Sequence, residues 1–136
     1  MDWFAFQTGA QAFIIAFAAA AAFFVAFKYL YQMVTPYHES SLIREGNAAA
    51  AVSLGGALIG FVLPLASALS QTVSLPEFAA WAVLAGVIQI VSFIVVSRLV
   101  YKNLAQRIEA GEMAAAIYMA SISIGVGLLN AACMTA

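Results

Sequence analysis

The chain alternates between long apolar runs and short polar islands. Its charged residues are Asp2, Lys28 and Glu77 and those within the segments 39–45 and 98–112. The nearly uncharged runs span residues 10–34, 47–70, 77–97 and 113–135. Each run supplies the roughly 20 residues that a helix needs to cross a hydrocarbon core about 30 Å thick. The pattern predicts an all-α integral membrane protein with four transmembrane helices.

Composition strengthens this prediction. Of the 136 residues, 65% are hydrophobic and 8% are charged, whereas a soluble domain carries about 25% charged residues. We therefore expect the lipid bilayer, and no nucleic acid, around the protein. The single Cys133 cannot form a disulfide within one chain.

Lysine and arginine are distributed unevenly between the two faces of the predicted bundle. Lys28 and Arg44 flank the connection between helices 1 and 2, and Arg98, Lys102 and Arg107 flank the connection between helices 3 and 4. Cytoplasmic loops retain positive charge. The sequence thus predicts a multi-pass membrane protein whose two termini both face away from the cytoplasm.

Two segments of the chain align without a gap. Residues 43–60, "IREGNAAAAVSLGGALIG", match residues 108–125, "IEAGEMAAAIYMASISIG", at an offset of 65. Because the copies are an even number of crossings apart, both run in the same direction across the membrane. We expect two tandem parallel helical hairpins, residues 1–70 and 71–136, related by an internal duplication. Shared alanine-rich composition is the alternative explanation.

Turn-forming residues mark the ends of the helices. Thr35 before a proline predicts the N-cap of a short interfacial helix over 36–45, and Ser74 with an acidic residue three positions later predicts another cap. Residues 98–112 are expected to extend helix 3 into the cytoplasm and to turn at Gly111. Tyrosines near these ends, including Tyr31 and Tyr37, are expected at the inner membrane interface.

Small residues follow one face of helix 2 at helical spacing. Helices in lipid associate through close packing, which small residues permit. Pro64 removes a backbone hydrogen bond and predicts a kink. The face comprises Ala49, Ser53, Gly56, Gly60, Pro64 and Ser67.

Helix 1 has small side chains on one face and large side chains on another. We expect its alanines to face protein and its phenylalanines to face lipid. The alanines are Ala12, Ala16, Ala19, Ala22 and Ala26, and the phenylalanines are Phe13, Phe17, Phe24 and Phe27.

Helix 4 has small residues on two opposed faces. Ser121 and Gly125 mark one face, and Ser123, Gly127 and Asn130 mark the other. A helix that packs on both sides is central, and four helices offer few neighbours for so much small surface. The pattern predicts a homo-oligomer, with a compact monomeric bundle as the alternative.

The uncharged polar residues within the predicted spans include Gln89, Ser92, Ser123 and Asn130. They can line a passive pore at an oligomer axis, or they can form hydrogen bonds between helices. A proton-coupled transporter usually has an ionisable residue at membrane depth, and none lies at that depth in any of the four predicted spans.

The sequence shows no arrangement typical of catalysis, such as a nucleophile beside a base, paired carboxylates or a metal-binding cluster. His38 lies beside Glu39 in a connection at the membrane surface, where a solvated histidine is the simplest interpretation. We expect a non-enzymatic protein with no cofactor and no metal.

Four segments resemble the YjfL-like family of small bacterial inner-membrane proteins: "TPYHE", "LIREGNAAAAVSLGGALIGFVLPLASA", "PEFAAWAVLAGVIQI" and "GLLNAACMT". The resemblance implies four membrane helices, tandem copies of a domain of unknown function, and an uncharacterised activity. It also implies a bacterial inner membrane, in which termini that face away from the cytoplasm lie on the periplasmic side. Family members are often encoded near phage-shock-type proteins, which implies a setting of envelope stress. The motif positions it implies are Asn47, Gly56, Pro64, Gln89, Asn130 and Cys133.

Two functional hypotheses follow. The first is a homo-oligomeric scaffold in envelope maintenance that docks a cytoplasmic or peripheral membrane protein through the basic loop of Arg98, Lys102 and Arg107. The alternative is a passive ion or small-solute channel at an oligomer axis.

Overall fold

The structure is a computed structural model that describes residues 2–135. Its helices are α1 (Trp3–Val34), α2 (Glu39–Arg44), α3 (Ala48–Gln71), α4 (Leu75–Val95), α5 (Leu104–Glu109) and α6 (Met113–Cys133). A single π-helical turn, Val96–Val100, continues α4. Helices α1, α3, α6 and α4 with its π turn are long and apolar enough to cross a membrane. The all-α fold with four candidate spans is thus confirmed.

Side-chain caps fix the starts of α1, α3 and α4. Ser74 Oγ accepts a hydrogen bond from the Glu77 amide at 3.3 Å, which confirms the predicted cap of α4. Asn47 Oδ1 accepts from the Ala50 amide at 3.0 Å and caps α3. These oxygens satisfy amides that have no partner inside the first turn of a helix.

The prediction for Thr35 is wrong. Thr35 ends α1 rather than starting the next helix, and α2 begins at Glu39. A residue before proline is disfavoured in the α-helical region, and Thr35 is extended at φ −70° and ψ 141°. Pro36 therefore terminates α1 and leaves a short connection before α2.

The sequence predicts that the third membrane helix, which is α4 in the structure, continues to Gly111. The structure instead breaks this helix after the π turn. The Tyr101 amide donates to Val96 O at 2.8 Å, which closes the π turn, and Tyr101 itself leaves helical geometry at φ −139°. Helix α5 then forms separately, and Gly111 makes the expected turn with φ +90°.

Helices α3 and α6 form the centre of the bundle and run parallel. Their contacts keep one register along the whole pair: Asn47 Nδ2 donates to Glu109 O at 3.0 Å near the start, and Ser67 Oγ donates to Ala131 O at 3.4 Å near the end. Midway, the backbones of Gly60 and Gly127 touch. Helices α1 and α4 pack around this pair.

Helix α1 buries aromatic residues, contrary to the size-sorted prediction. Phe27 is 3% exposed and stacks on Phe61 with ring centroids 4.3 Å apart, while Ala12 and Ala26 are exposed. Of the predicted alanines, Ala19 is partly buried and packs against the core, so the predicted sorting by size holds only in part. Phe13 and Phe17 are exposed, as expected.

The two halves of the chain share local geometry at the offset of 65 residues. Helix α5 begins and ends 65 positions after α2, and α6 begins 65 positions after α3. The turns between them use Gly46 at φ +89° and Gly111 at φ +90°. The duplication and its two hairpins stay a prediction, with which these bounds agree.

The α3–α6 contact leaves no room for a methyl group at its centre. A Cβ atom on Gly127 would overlap the Gly60 carbonyl oxygen and lie 2.8 Å from Gly60 Cα, whereas a Cβ on Gly55 would meet nothing within 4 Å. We expect Gly127→Ala to lower the free energy of unfolding by about 1–3 kcal/mol, as overpacking does. The measurement is reversible unfolding in mixed micelles.

Gly55→Ala is the matched control, because alanine raises helix propensity by up to about 1 kcal/mol where it fits. We expect it to leave the free energy of unfolding unchanged or slightly raised. Equal destabilisation by both variants would contradict close packing at Gly127.

Candidate functional site

The two buried amide side chains join helices of the same chain. Gln89 is 4% exposed and donates from Nε2 to Ser123 O at 3.1 Å. Asn130 donates from Nδ2 to Ala85 O at 3.2 Å. Both bonds link α4 to α6, so these amides act in interhelical bonding. Ser123 is buried and Ser92 is half-buried beside them.

The predicted small face of α3 lies inside the bundle. Its members Ala49, Ser53, Gly56, Gly60 and Pro64 are all buried, and Ser67 is half-buried. Helix α3 continues through Pro64 without interruption.

The two glycines of α6 differ. Gly127 is buried against Gly60, whereas Gly125 is half-buried and a Cβ there would meet nothing within 4 Å. Within the described chain, Gly125 therefore contributes no close helix contact.

The predicted basic loop divides into two parts. Arg98 and Lys102 line a cavity of about 210 Å³ between the end of α1, the π turn and α5. Arg107 lies apart from them and forms a two-pronged ion pair with Glu112, with Nε 2.7 Å from Oε2. Its guanidinium also donates to the Tyr101 hydroxyl. The pairing raises the pKa of Arg107 and lowers that of Glu112.

A second polar group, which we call the Glu39 cluster, lies where α1, α2 and α3 meet. It consists of Tyr31, Thr35, Tyr37, Glu39 and Ser53, all buried. The Glu39 carboxylate is 1% exposed, although it belongs to the first turn of a short surface helix. The end of α1 at Pro36 folds the chain back and brings this turn under the tyrosines.

Hydrogen bonding satisfies the Glu39 cluster only in part. Thr35 Oγ1 bonds to Glu39 Oε1 and is also 3.1 Å from Gln32 O. Within the cluster, four other buried oxygens form no hydrogen bond of good geometry among residues 2–135: Tyr31 Oη, Tyr37 Oη, Glu39 Oε2 and Ser53 Oγ. The Ser53 hydroxyl nevertheless lies close to both phenols, so these oxygens converge. Buried polar atoms are nearly always paired with protein, water or an ion. This group of oxygens is the main candidate for a binding site.

Burial favours the neutral forms of the ionisable groups in the Glu39 cluster. Burial raises the pKa of Glu39, against smaller opposing effects of the Thr35 bond and of Lys28. Burial and the nearby Glu39 carboxylate raise the pKa of Tyr37 to about 12, while the Ser53 hydroxyl acts in the opposite direction. Tyr37 is therefore a neutral phenol at physiological pH.

The Glu39 carboxylate has no ion-pair partner within the described chain, where the one salt bridge joins Arg107 and Glu112. The Lys28 ammonium lies 5.2 Å from the centre of the Tyr29 ring. An unpaired buried carboxylate is strongly disfavoured. Either a proton or an entering cation must therefore neutralise this carboxylate.

Comparisons with known proteins place this architecture in a family. A family model described as "Domain of Unknown Function (DUF350)" matches residues 5–134. Two proteins named "UPF0719 inner membrane protein YjfL", from Escherichia coli strain K12 and from Escherichia coli O157:H7, are each 38% identical over 124 residues, covering 91% of this chain and 93% of the relative.

The chain belongs to the DUF350 family.

The expected resemblance to YjfL-like proteins is thus confirmed, and with it a multi-pass inner-membrane location for this DUF350 protein. No solved structure matches the chain significantly.

The sequence alone did not reveal the Glu39 cluster of this DUF350 protein. It placed Glu39 in a solvated connection and assigned Tyr31 and Tyr37 to an interfacial belt. The available signal was the spacing of Tyr31, Thr35 and Glu39, since residues four apart share a helix face. Pro36 interrupts that helix, so the spacing alone does not predict their contact.

The raised pKa of Glu39 predicts how stability changes with pH. The folded state binds a proton more tightly than the unfolded chain, so stability is present at low pH and is lost as pH rises through the folded pKa. We expect Glu39→Gln to remove this loss and to be more stable than the native protein at alkaline pH. The measurement is the thermal midpoint against pH in a buffer with large organic cations.

Glu45→Gln serves as the control, because Glu45 is exposed at the end of α2. Its pH profile should follow that of the native protein. Identical profiles for Glu39→Gln and the native protein would show that Glu39 does not titrate with folding.

Proposed function

We propose that the protein is a non-enzymatic, homo-oligomeric scaffold of the inner membrane that docks an acidic group of a peripheral membrane protein in envelope maintenance. The observation that carries this proposal is the cavity of about 210 Å³ lined by Arg98 and Lys102. The setting in the envelope rests on the family resemblance.

The cavity suits a carboxylate. Its walls include the apolar side chains of Val34, Phe93 and Ala105, and its polar lining adds Ser97 and Gln106 to the two cations. Apolar walls strengthen the attraction between charges, and an arginine can bind a carboxylate through two parallel hydrogen bonds. The positive-inside rule favours the cytoplasmic side for this end of the bundle.

The exposed surface of α6 supports self-association. Ser121 is exposed, and Gly125 has open space where a side chain would lie. Small residues let helices from neighbouring copies approach closely in lipid. We therefore assign the contact between copies to this face of α6.

The channel alternative lacks comparable support. It requires polar side chains at an axis between copies, whereas Gln89 and Asn130 donate to carbonyls inside their own bundle.

The oligomer is tested by native mass spectrometry from lipid particles. We expect masses that are multiples of 14.3 kDa. Gly125→Leu should convert the assembly to the monomer, because leucine fills the space through which the copies approach. Leu129→Ile, at a residue 69% exposed nearby, is the control and should keep the assembly. A native protein that is only monomeric would overturn the self-association.

Docking is tested with a fluorescent oligoglutamate peptide and the protein in zwitterionic nanodiscs. We expect the double variant Arg98→Gln, Lys102→Gln to weaken binding about tenfold or more, since hydrogen bonds to charged groups contribute about 1.5–3 kcal/mol each. Fluorescence anisotropy gives the dissociation constants, and added salt should weaken binding to the native protein.

Arg44→Gln is the matched control, because Arg44 is an exposed cation at the end of α2 and lies outside the cavity. It should retain nearly native affinity. If all three proteins bind the peptide equally, the cavity is not the docking site. If the cavity variant binds the peptide normally but loses binding to anionic lipid in a parallel assay, the acidic protein partner is wrong.

A further inference from the structure

The Glu39 cluster is not required by the fold. At the offset of 65 residues, Leu104 in the first turn of α5 corresponds to Glu39 in the first turn of α2. Leu104 is also 1% exposed. The other members correspond to residues that do not rebuild the group: Val96, Val100, Lys102 and Tyr118. The same place in the architecture therefore accepts an apolar side chain, and the carboxylate needs another explanation.

The surrounding charges do not compensate Glu39. Lys28 on α1 acts on it only from a distance, and its ammonium lies over Tyr29. Glu109 on α5 is the charged group that reaches Tyr37 from the other side, and it adds negative charge. Within the described chain the neutral members are Tyr31, Tyr37, Thr35 and Ser53. The compensating positive charge must come from a bound proton or a bound cation.

A proton or a small cation can neutralise the carboxylate, and the unpartnered oxygens favour the cation. A proton on Glu39 bonds to one acceptor and leaves the remaining hydroxyls of Tyr31, Tyr37 and Ser53 unexplained. A cation contacts several oxygens at once. Hard cations take oxygen ligands, and divalent ions in proteins usually have more than one carboxylate. One carboxylate among neutral hydroxyls matches a single positive charge.

We propose that the Glu39 cluster is a binding site for an alkali cation, with Glu39 as the charged ligand and the hydroxyls of Tyr31, Tyr37 and Ser53 as neutral ligands. This site is distinct from the basic cavity, and the inference does not depend on the proposed docking function.

A cavity that is open to the surface reaches two members of the cluster. This cavity has a volume of about 410 Å³, adjoins the cluster at Thr35 and Tyr37 and is also lined by Tyr29, Gln32 and His38. Tyr29 and His38 are exposed, so the cavity is continuous with the surface of the bundle. Gln32 lines this cavity, where its amide can contact an ion that is losing its water.

The test is thermal unfolding of the full chain in detergent at alkaline pH, with NaCl or KCl compared with choline chloride at equal ionic strength. We expect the midpoint to rise by several degrees and to saturate with NaCl or KCl, because a ligand that binds only the folded state stabilises it. Glu39→Gln should abolish this response. Glu45→Gln, an exposed neighbour, should retain it.

Three results would overturn the proposal. The first is a native midpoint that is the same in alkali and choline chloride, and the second is a response retained in Glu39→Gln. The third is stabilisation that follows falling pH without any response to NaCl or KCl, which would assign the neutralisation to a proton.

Tyr37→Phe and Ser53→Ala keep the test decisive if Glu39→Gln fails to fold. Each removes one neutral oxygen and leaves the charge, so we expect the apparent affinity for the cation to fall several-fold while the response persists. Unchanged affinity in both variants would contradict ligation by these hydroxyls.

Discussion

The rest of the structure depends on the backbone contact between Gly60 of α3 and Gly127 of α6. A side chain at Gly60 would overlap Ser123 O and lie 2.8 Å from Gln89 Nε2, so this position must stay empty for the Gln89 bond to form. The close approach of α3 to α6 and the hydrogen bond from α4 therefore both depend on the missing side chain at Gly60. In lipid, where the hydrophobic effect does not drive helices together, such contacts decide the arrangement.

This constraint explains why α3 is rich in alanine, glycine and serine. The face of small residues on α3 packs against α6 of the same chain, since Gly56 lies against Ala120 and Ser67 bonds to Ala131 O. Small residues on α3 therefore do not by themselves indicate a second copy. The surface that remains for contact between copies is the opposite face of α6 at Gly125 and the largely exposed α1.

The sequence predicted what depends on composition and periodicity, and missed what depends on a local break in the chain. Four spans, the cap at Ser74 and the turn at Gly111 follow from residue type alone. The wrong assignment of Thr35 followed from treating Pro36 as the start of a helix rather than the end of one. The sequence placed Glu39 only in a connection at the membrane surface. The burial of Phe27 was also missed, because size sorting cannot show how far a peripheral helix lies from the centre.

The difference between the two halves bears on where function resides. Helices α2 and α5 have matching lengths and matching turns, yet one buries Glu39 and the other buries Leu104. A buried carboxylate without a partner destabilises a protein, whereas leucine at the equivalent place stabilises it. The fold accepts leucine at this place in the second half, so the buried glutamate of the first half points to a function there rather than to a requirement of the fold. The second half has a different polar feature, the cavity beside α5 that is lined by Arg98 and Lys102. The two halves therefore differ in charge at the same end of the bundle, which gives that end an acidic buried site and a basic open one.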